Sequence, residues 1–452
     1  MLGGGWAGLA AAITATQQGA EVTVWEMAPT VGGRAKSFTS PDGHQRDNGQ
    51  HLLIGAYTEC LRLMKLVGLA PEQILLRAPL DLRFHSGAGL RLPRIQPQIL
   101  SEGLRRLDRF LPNLGLSQIQ LALGLLVSGQ GPKSEAWIWQ DRWGLAKEST
   151  QWQRHAWQCP ATQTVADLSA SLPPKIVNDL LEPLCITALN TPMAQASGQV
   201  FLRVLQEALL GPLGSSDLLI PRVPLNQLWP HAAQKWLQQK GALVHAHRRA
   251  LSITKEASNW MVHSAAGPAF FDGVVLACPP QEAARLLPAG LNPGWQAVAK
   301  GLEFEAIATV YAQVQAVGTK TYHLSRPLVA LRSSPQAPAQ FALDRGQLGG
   351  PQGELALVVS ACQPMEREQL TQAVLAQAQK QLSCPTLHPI QTLIEKRATF
   401  ACTAGLQRPT MDMAPGLWAC GDYVQGPFPA TLEGAVRSGV AAAQQAVTSF
   451  LG

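Results

Sequence analysis

The sequence predicts an α/β fold in which one domain is assembled from separated stretches of chain and a second, mixed α+β domain is inserted into it. Three observations predict this. A glycine-spaced turn, Gly3-x-Gly5-x-x-Gly8, opens an Ala-rich segment at the start. A β-branched run, Glu21-Val22-Thr23-Val24-Trp25-Glu26, follows that segment. Residues 416–451 then repeat the order of strand, turn and Ala-rich helix at the other end. Alternating β and α signals at both ends, with mixed texture between them, indicate a parallel sheet built by distant segments.

The elements follow in order. Ala7 to Gln18 has good helix propensity, and Gly19 stands where a helix stop belongs. Thr58 to Val67 is a second amphipathic helix, followed by Gly68. From Leu80 the texture changes: short β-like pieces, Leu80–Phe84 and Gly89–Leu92, precede a long helical stretch to about residue 211 with Pro and Trp interruptions. Strands are predicted at Ala242–His247, Trp260–Ser264 and Gly273–Cys278, the last ended by Pro279-Pro280. Residues 280–400 return to mixed helix and strand, including Ile307–Val314 and Glu354–Ser360. The predicted division assigns 1–80, 215–280 and 401–452 to the nucleotide-type domain and 81–214 with 281–400 to the substrate domain.

Composition narrows the function. Of 452 residues, 46% are hydrophobic and 15% charged, against about 25% charged in an ordinary soluble protein. That excludes a disordered chain. Lys and Arg number 36 against 30 Asp and Glu, a net +6, and no basic run exceeds two residues, so a nucleic-acid groove is not expected. No apolar stretch is long enough to span a bilayer, and the start lacks the basic and apolar regions of a signal peptide. The eight cysteines (60, 159, 185, 278, 362, 384, 402 and 420) include no C-x-x-C pair. A cytoplasmic setting without structural zinc is expected, and no metal is called. Nor is there an H-E-x-x-H, G-x-S-x-G or Walker motif. Five of the twelve Trp fall at 137, 139, 143, 152 and 157. They read either as local core or as the rim of a greasy tunnel facing a membrane, and Leu116–Val127 is an apolar helix too short to span one.

The first glycine motif carries the most chemistry. Glycines permit a tight turn and close backbone approach to a pyrophosphate, which then sits at the positive end of the helix. Glu26 ends the next strand, where a carboxylate accepts from ribose hydroxyls. A Rossmann-like dinucleotide site is therefore predicted. Only Met1 and Leu2 precede Gly3, too few for the buried strand such a turn leaves from. The expectation is a start upstream of Met1, or another segment filling the gap. A second motif, Gly32-Gly33-Arg34-Ala35-x-Ser37, offers close backbone approach and a guanidinium for a phosphate. A third, Asp47-Asn48-Gly49-Gln50-His51-Leu52-Leu53-Ile54-Gly55-Ala56-Tyr57, suits backbone lying against a flat ring, although His51 reads equally well as a hydrogen-bonded core histidine. The fourth, Gly421-Asp422-Tyr423 with Pro429-Ala430-Thr431-Leu432-Glu433-Gly434-Ala435-Val436-Arg437-Ser438-Gly439, sets a second helix N-terminus beside a strand-end Asp.

Taken together these motifs resemble the flavoprotein superfamily of amine oxidases and carotenoid desaturases, with a GR2-type FAD-binding domain. The resemblance implies FAD as cofactor, with Gly3, Gly5, Ala7, Gly8, Glu26, Gly33 and Arg34 on the dinucleotide. It places Gly49 and His51 along the flavin, and Asp422, Glu433, Gly434 and Ala435 near its ribityl chain and ring. The D-N-G-x-H-L-L-x-G-A-Y wording, with Ala188-Leu189-Asn190-Thr191-Pro192 and Leu219-Ile220-Pro221-Arg222-Val223-Pro224-Leu225, resembles in particular the hydroxysqualene dehydroxylases of bacterial hopanoid synthesis. Arg248 departs from that pattern, falling about where the family often has a Val that meets the adenine. The implied function is reduction of a long isoprenoid, hydroxysqualene to squalene, at a membrane surface. The implied alternatives are a phytoene-type carotenoid desaturase and a non-catalytic prenyl-chain carrier of the same fold. The leaving hydroxyl needs a proton, and His51, Tyr57 and Tyr423 are the candidates by nearness in motif; the resemblance specifies neither electron donor nor oligomeric state.

Overall fold

The short strand Thr23–Trp25, two of whose three residues are buried, lies near the centre of a parallel sheet. It pairs with Leu243–His245 on one side. On the other side Leu2 forms parallel bridges to both Trp25 and Leu276. Val274–Leu276 then pairs in parallel with Leu417–Ala419, and Asp412–Ala414 closes that edge antiparallel. The computed structural model describes residues 1–94, 116–316 and 321–451. Part of the expected helical stretch, residues 95–115, lies outside them.

The place beside Gly3 that the sequence left open is taken by the first two residues. Met1 and Leu2 do occupy the central position: Leu2 N donates to Val275 O at 2.9 Å, Ala277 N to Leu2 O at 2.9 Å, and Trp25 N to Met1 O at 2.9 Å. Each makes ladder hydrogen bonds to a neighbouring strand, and Leu2 is buried at 5% exposure.

One face of this sheet is covered by helices Trp6–Gln17, Pro230–Gln239 and Leu432–Leu451. The other carries an antiparallel meander of Ser252–Glu256, Asn259–Ser264 and Gly267–Phe271. A second sheet is antiparallel, in the order Leu328–Ala330, Phe341–Asp344, Glu354–Val359, Phe304–Val314, Leu387–Phe400. Its strands alternate their side chains between two faces. Ala308, Val310, Ala312, Leu355 and Leu357 pack with Val374, Leu375 and Ala378 of helix Arg367–Leu382. Tyr311, Phe341, Leu343 and Val358 look the other way, into one apolar cluster with Leu181, Leu189, Phe201 and Leu205 of the helical insert.

The insert is fastened by the L-N-T-P segment. Helix Glu182–Leu189 ends at Asn190, which takes the left-handed conformation at φ 47°, tolerable for Asn. Its buried amide donates to Thr399 Oγ1 at 2.9 Å and accepts from Ala361 N at 2.6 Å. Helix and second sheet are thus joined through one side chain.

Candidate functional site

Between the central Leu2 and helix Trp6–Gln17 the chain turns at Gly3, whose φ of +115° suits glycine and where a Cβ would lie 2.5 Å from Ala277 O. Gly8 is equally constrained: a Cβ there would meet Gly3 O at 1.9 Å. The helix starts at Gly5 with no side-chain cap, so its first-turn N–H groups remain available to an anion. The second glycine pair lies against this turn. Gly32 N donates to Gly4 O at 2.8 Å, Gly5 and Gly32 form a parallel bridge, and a Cβ on Gly33 would stand 3.1 Å from Gly5 Cα. Glu26 is buried, its carboxylate accepting from Gly4 N and Ala28 N at 2.7 Å each. Arg34 donates to Ala398 O at 2.7 Å and ion-pairs with Asp422. Residues 388 positions apart are thereby brought together. Bare glycine backbone, an uncapped helix start, a strand-end carboxylate and a guanidinium with 39% of its side chain exposed fit a dinucleotide with a central pyrophosphate.

Asp47 leads into the third motif. Its carboxylate accepts from Ser37 Oγ at 2.6 Å and from Leu225 N at 3.0 Å, which explains why the Leu219–Leu225 segment accompanies it. His51 Nδ1 lies 3.1 Å from Gly49 O. A carbonyl only accepts, so Nδ1 carries the hydrogen and Nε2 is left as acceptor in the neutral ring. Burial lowers the His51 pKa below its ordinary value, outweighing the Gly49 hydrogen bond and the charge of Asp47. Tyr57 packs edge-on against Phe428 with centroids 6.3 Å apart, and burial raises its phenol pKa.

At the other end, Gly421 N donates to Ser438 Oγ at 2.8 Å, which locks the strand end to the last helix. Thr431 Oγ1 accepts from Gly434 N at 3.0 Å, and a Cβ on Gly434 would lie 1.9 Å from Phe428 O. Ala435, 9% exposed, continues that first turn. Glu433 is fully buried and accepts from Glu59 N at 3.0 Å and Cys60 N at 2.9 Å while pairing with Arg437 at 2.8 Å. Both its oxygens accept from the N-terminus of helix Thr58–Leu66, which follows Tyr57. Tyr423 is 2% exposed and its hydroxyl has no partner; burial pushes its pKa well up.

A family model for flavin-containing amine oxidoreductases matches residues 6–447. The chain belongs to the flavin-containing amine oxidoreductase family. It is 26% identical over 469 residues to the hydroxysqualene dehydroxylase of Rhodopseudomonas palustris, a match covering 98% of this chain and 96% of that one. It is 34% identical over 103 residues to a zeta-carotene desaturase of Zea mays, covering 20% of this chain and 18% of that one. An oxidoreductase structure from Methanosarcina mazei superposes with a TM-score of 0.70 at 14% identity, covering 98% of this chain and 99% of that one. This flavin-containing amine oxidoreductase is accordingly an FAD-dependent oxidoreductase with the family's fold.

Several features of this family member were not legible in its motifs. Arg248 lies with its guanidinium 4.0 Å from the centre of the Trp25 ring, and its backbone N donates to Glu26 O at 2.8 Å. The tryptophans divide between the two readings. Trp137 and Trp152 are buried, whereas Trp139 and Trp143 are 70% and 63% exposed and stack at 6.5 Å. Tyr311, Arg46 and Glu354, which no motif marked, meet behind the Asp47–His51 segment. The available signal was charge inside otherwise apolar strands. Among the described residues no group of three His, Cys, Asp or Glu stands ready for a metal ion.

Proposed function

We propose that this enzyme acts in isoprenoid metabolism, reducing hydroxysqualene to squalene on the route to hopanoids. The observation that carries the reading is the end-to-end similarity to hydroxysqualene dehydroxylases, 98% of this chain against 96% of the relative. A C30 hydrocarbon offers no charge to bind, and the sheet face turned toward the insert is apolar, with Phe341, Leu343 and Val358 packed against it.

Glu26 would accept from the ribose, the turn from Gly3 to Gly8 with Ala7 and Gly33 would take the pyrophosphate, and Arg34 would add positive charge. Gly49, His51, Asp422, Gly434 and Ala435 would lie toward the ring end, held by the contacts described above. FAD held there would, when reduced, supply the hydride chemistry for carbon, and the hydroxyl would leave as water with a proton from the protein. The chain's own task is to hold that proton, orient the isoprenoid and exclude solvent. Tyr57 and Tyr423 keep their phenolic protons because burial raises both pKa values. His51, whose pKa burial lowers, is held as a neutral ring with Nε2 free to accept, so of the three candidates Tyr57 and Tyr423 are the ones that would supply the proton.

Exposed Leu126, Ile138, Trp139 and Trp143, at 57–70%, supply an apolar, indole-bearing patch for peripheral contact with the cytoplasmic membrane. No helix of the described residues is long and apolar enough to cross it. Flotation with anionic liposomes tests this contact, and Trp139→Ser/Trp143→Ser should stay with the soluble fraction. The reaction is tested by co-expression with a hydroxysqualene-forming enzyme and lipid extraction. Squalene is expected; unchanged hydroxysqualene beside a yellow, flavin-loaded protein would overturn the substrate assignment. The local identity to zeta-carotene desaturase supports the second reading, which predicts new conjugated double bonds in a carotene precursor.

A further inference from the structure

We propose that Tyr311 is a positioning residue for the flavin-lining segment Asp47–His51, acting from the substrate-side sheet. The inference rests on the reading that this segment lies along the flavin. Tyr311 sits in strand Phe304–Val314, between Glu354–Val359 and Leu387–Phe400, and is fully buried. Its hydroxyl donates to Asp47 O at 2.8 Å and accepts from Gln50 Nε2 at 2.7 Å. One oxygen therefore brackets Asn48 and Gly49 on both sides. The bracket is specific to phenol: it requires a donor and an acceptor on the same atom at the end of a rigid side chain.

The surroundings aim that hydroxyl. Beside Tyr311 the pairing shifts register, from Tyr311 opposite Gln391 to Ala312 opposite Pro389, leaving an extra residue on the partner strand. Such a bulge bends the strand and redirects a side chain. Arg46 and Arg345 approach the Tyr311 ring at 5.7 and 6.0 Å, and Arg46 is held by Glu354 through Nε at 3.2 Å and Nη2 at 2.5 Å. Asp47 directs Oδ1 onto Ser37 and Leu225, while its Oδ2 lies 3.9 Å from Arg345 Nη1. The segment is thus tied to Ser37 and Leu225 through Asp47 Oδ1 and to the antiparallel sheet through the Asp47 carbonyl and the Gln50 side-chain amide. Tyr311 sets the height at which Gly49 and His51 face the ring.

Tyr311→Phe removes only the hydroxyl and keeps the packed ring, so the folded protein should persist. Three measurements test the role on purified, flavin-loaded protein. Amide exchange of residues 48–51 should quicken at least tenfold while exchange in strand Glu354–Val359 stays unchanged. The visible flavin band or its fluorescence should shift, and kcat should fall at least threefold with KM for the isoprenoid within twofold. Gln50→Ala, which removes one arm of the bracket, should change the same readings in the same direction by less. A Tyr311→Phe protein with wild-type flavin spectrum and wild-type kcat overturns the proposal, whatever its thermal stability. A His51→Gln protein that takes up flavin and shows the wild-type flavin spectrum would instead refute the reading that this segment lines the flavin.

Discussion

His51 shows how far a single residue's environment reaches. Its imidazole is folded back on Gly49 O, and burial lowers its pKa from an ordinary 6.5. Above about pH 6.5 the ring is neutral in both folded and unfolded chain, and its contribution to stability is fully present. As pH falls below that value the unfolded chain takes up a proton that the folded chain refuses, so stability is lost progressively until the lowered folded pKa is passed. Thermal unfolding followed from pH 8 to pH 5 should therefore show a decline setting in near pH 6.5, shallower in His51→Gln. Equal slopes in the two proteins would deny that His51 is buried in its neutral form. Gly8 makes the complementary point about backbone: with Gly3 O only 1.9 Å from a notional Cβ, any side chain displaces the turn that would receive the pyrophosphate.

Helix contacts decide what a residue table cannot. Helices Trp6–Gln17 and Leu432–Leu451 run against each other so closely that a Cβ on Gly439 would stand 2.1 Å from Ala7 O. Backbone cannot rotate aside as a side chain can. Gly439→Val must force the helices apart, at a cost of about 3 kcal/mol, the upper part of the range for overpacking. Because Ala7 and Gly8 move with the first helix, FAD content should fall with stability. Urea unfolding and the ratio of flavin to protein absorbance measure both; a variant with unaltered midpoint and full flavin would show that the helices have room. Glu433 works at the same level, capping helix Thr58–Leu66 from a distant part of the chain.

Across the whole molecule, a buried charge pair joins the two-stranded ribbon Ser37–Thr39 and Gln45–Asp47 to the five-stranded antiparallel sheet. Arg46, in strand Gln45–Asp47, and Glu354, at the start of strand Glu354–Val359, are each 1% exposed. Asp42 also meets Arg46, but its side chain is 41% exposed. Replacing Glu354 by Gln leaves two guanidinium groups, Arg46 and Arg345, beside a neutral amide. Breaking a buried pair in this way costs about 3 kcal/mol or more. Denaturant unfolding should register the loss, and Arg46→Met/Glu354→Leu should recover most of it, because an apolar pair of similar volume carries no desolvation penalty. Failure of the double variant to recover would mean that the charges do more than join the sheets.

The cofactor end of this protein was determined by the sequence alone, because its constraints are local. A turn that admits only glycine, a helix start and a β-branched strand ending in Glu26 each act within a few residues, and their spacing survives in the linear chain. Helix Thr58–Leu66 and strands Asn259–Ser264 and Glu354–Val359 were legible for the same reason, through hydrophobic period and stop signals. Only the tertiary structure decided which tryptophans face solvent, that Leu2 alone bridges two strands, that Glu433 turns to a helix N-terminus, and that Tyr311 reaches Asp47 across 264 positions. Those outcomes depend on which surfaces meet after the chain has closed on itself. A buried hydrogen bond or ion pair between distant residues leaves no periodic trace, since its partner is chosen by geometry and desolvation rather than by neighbours in sequence.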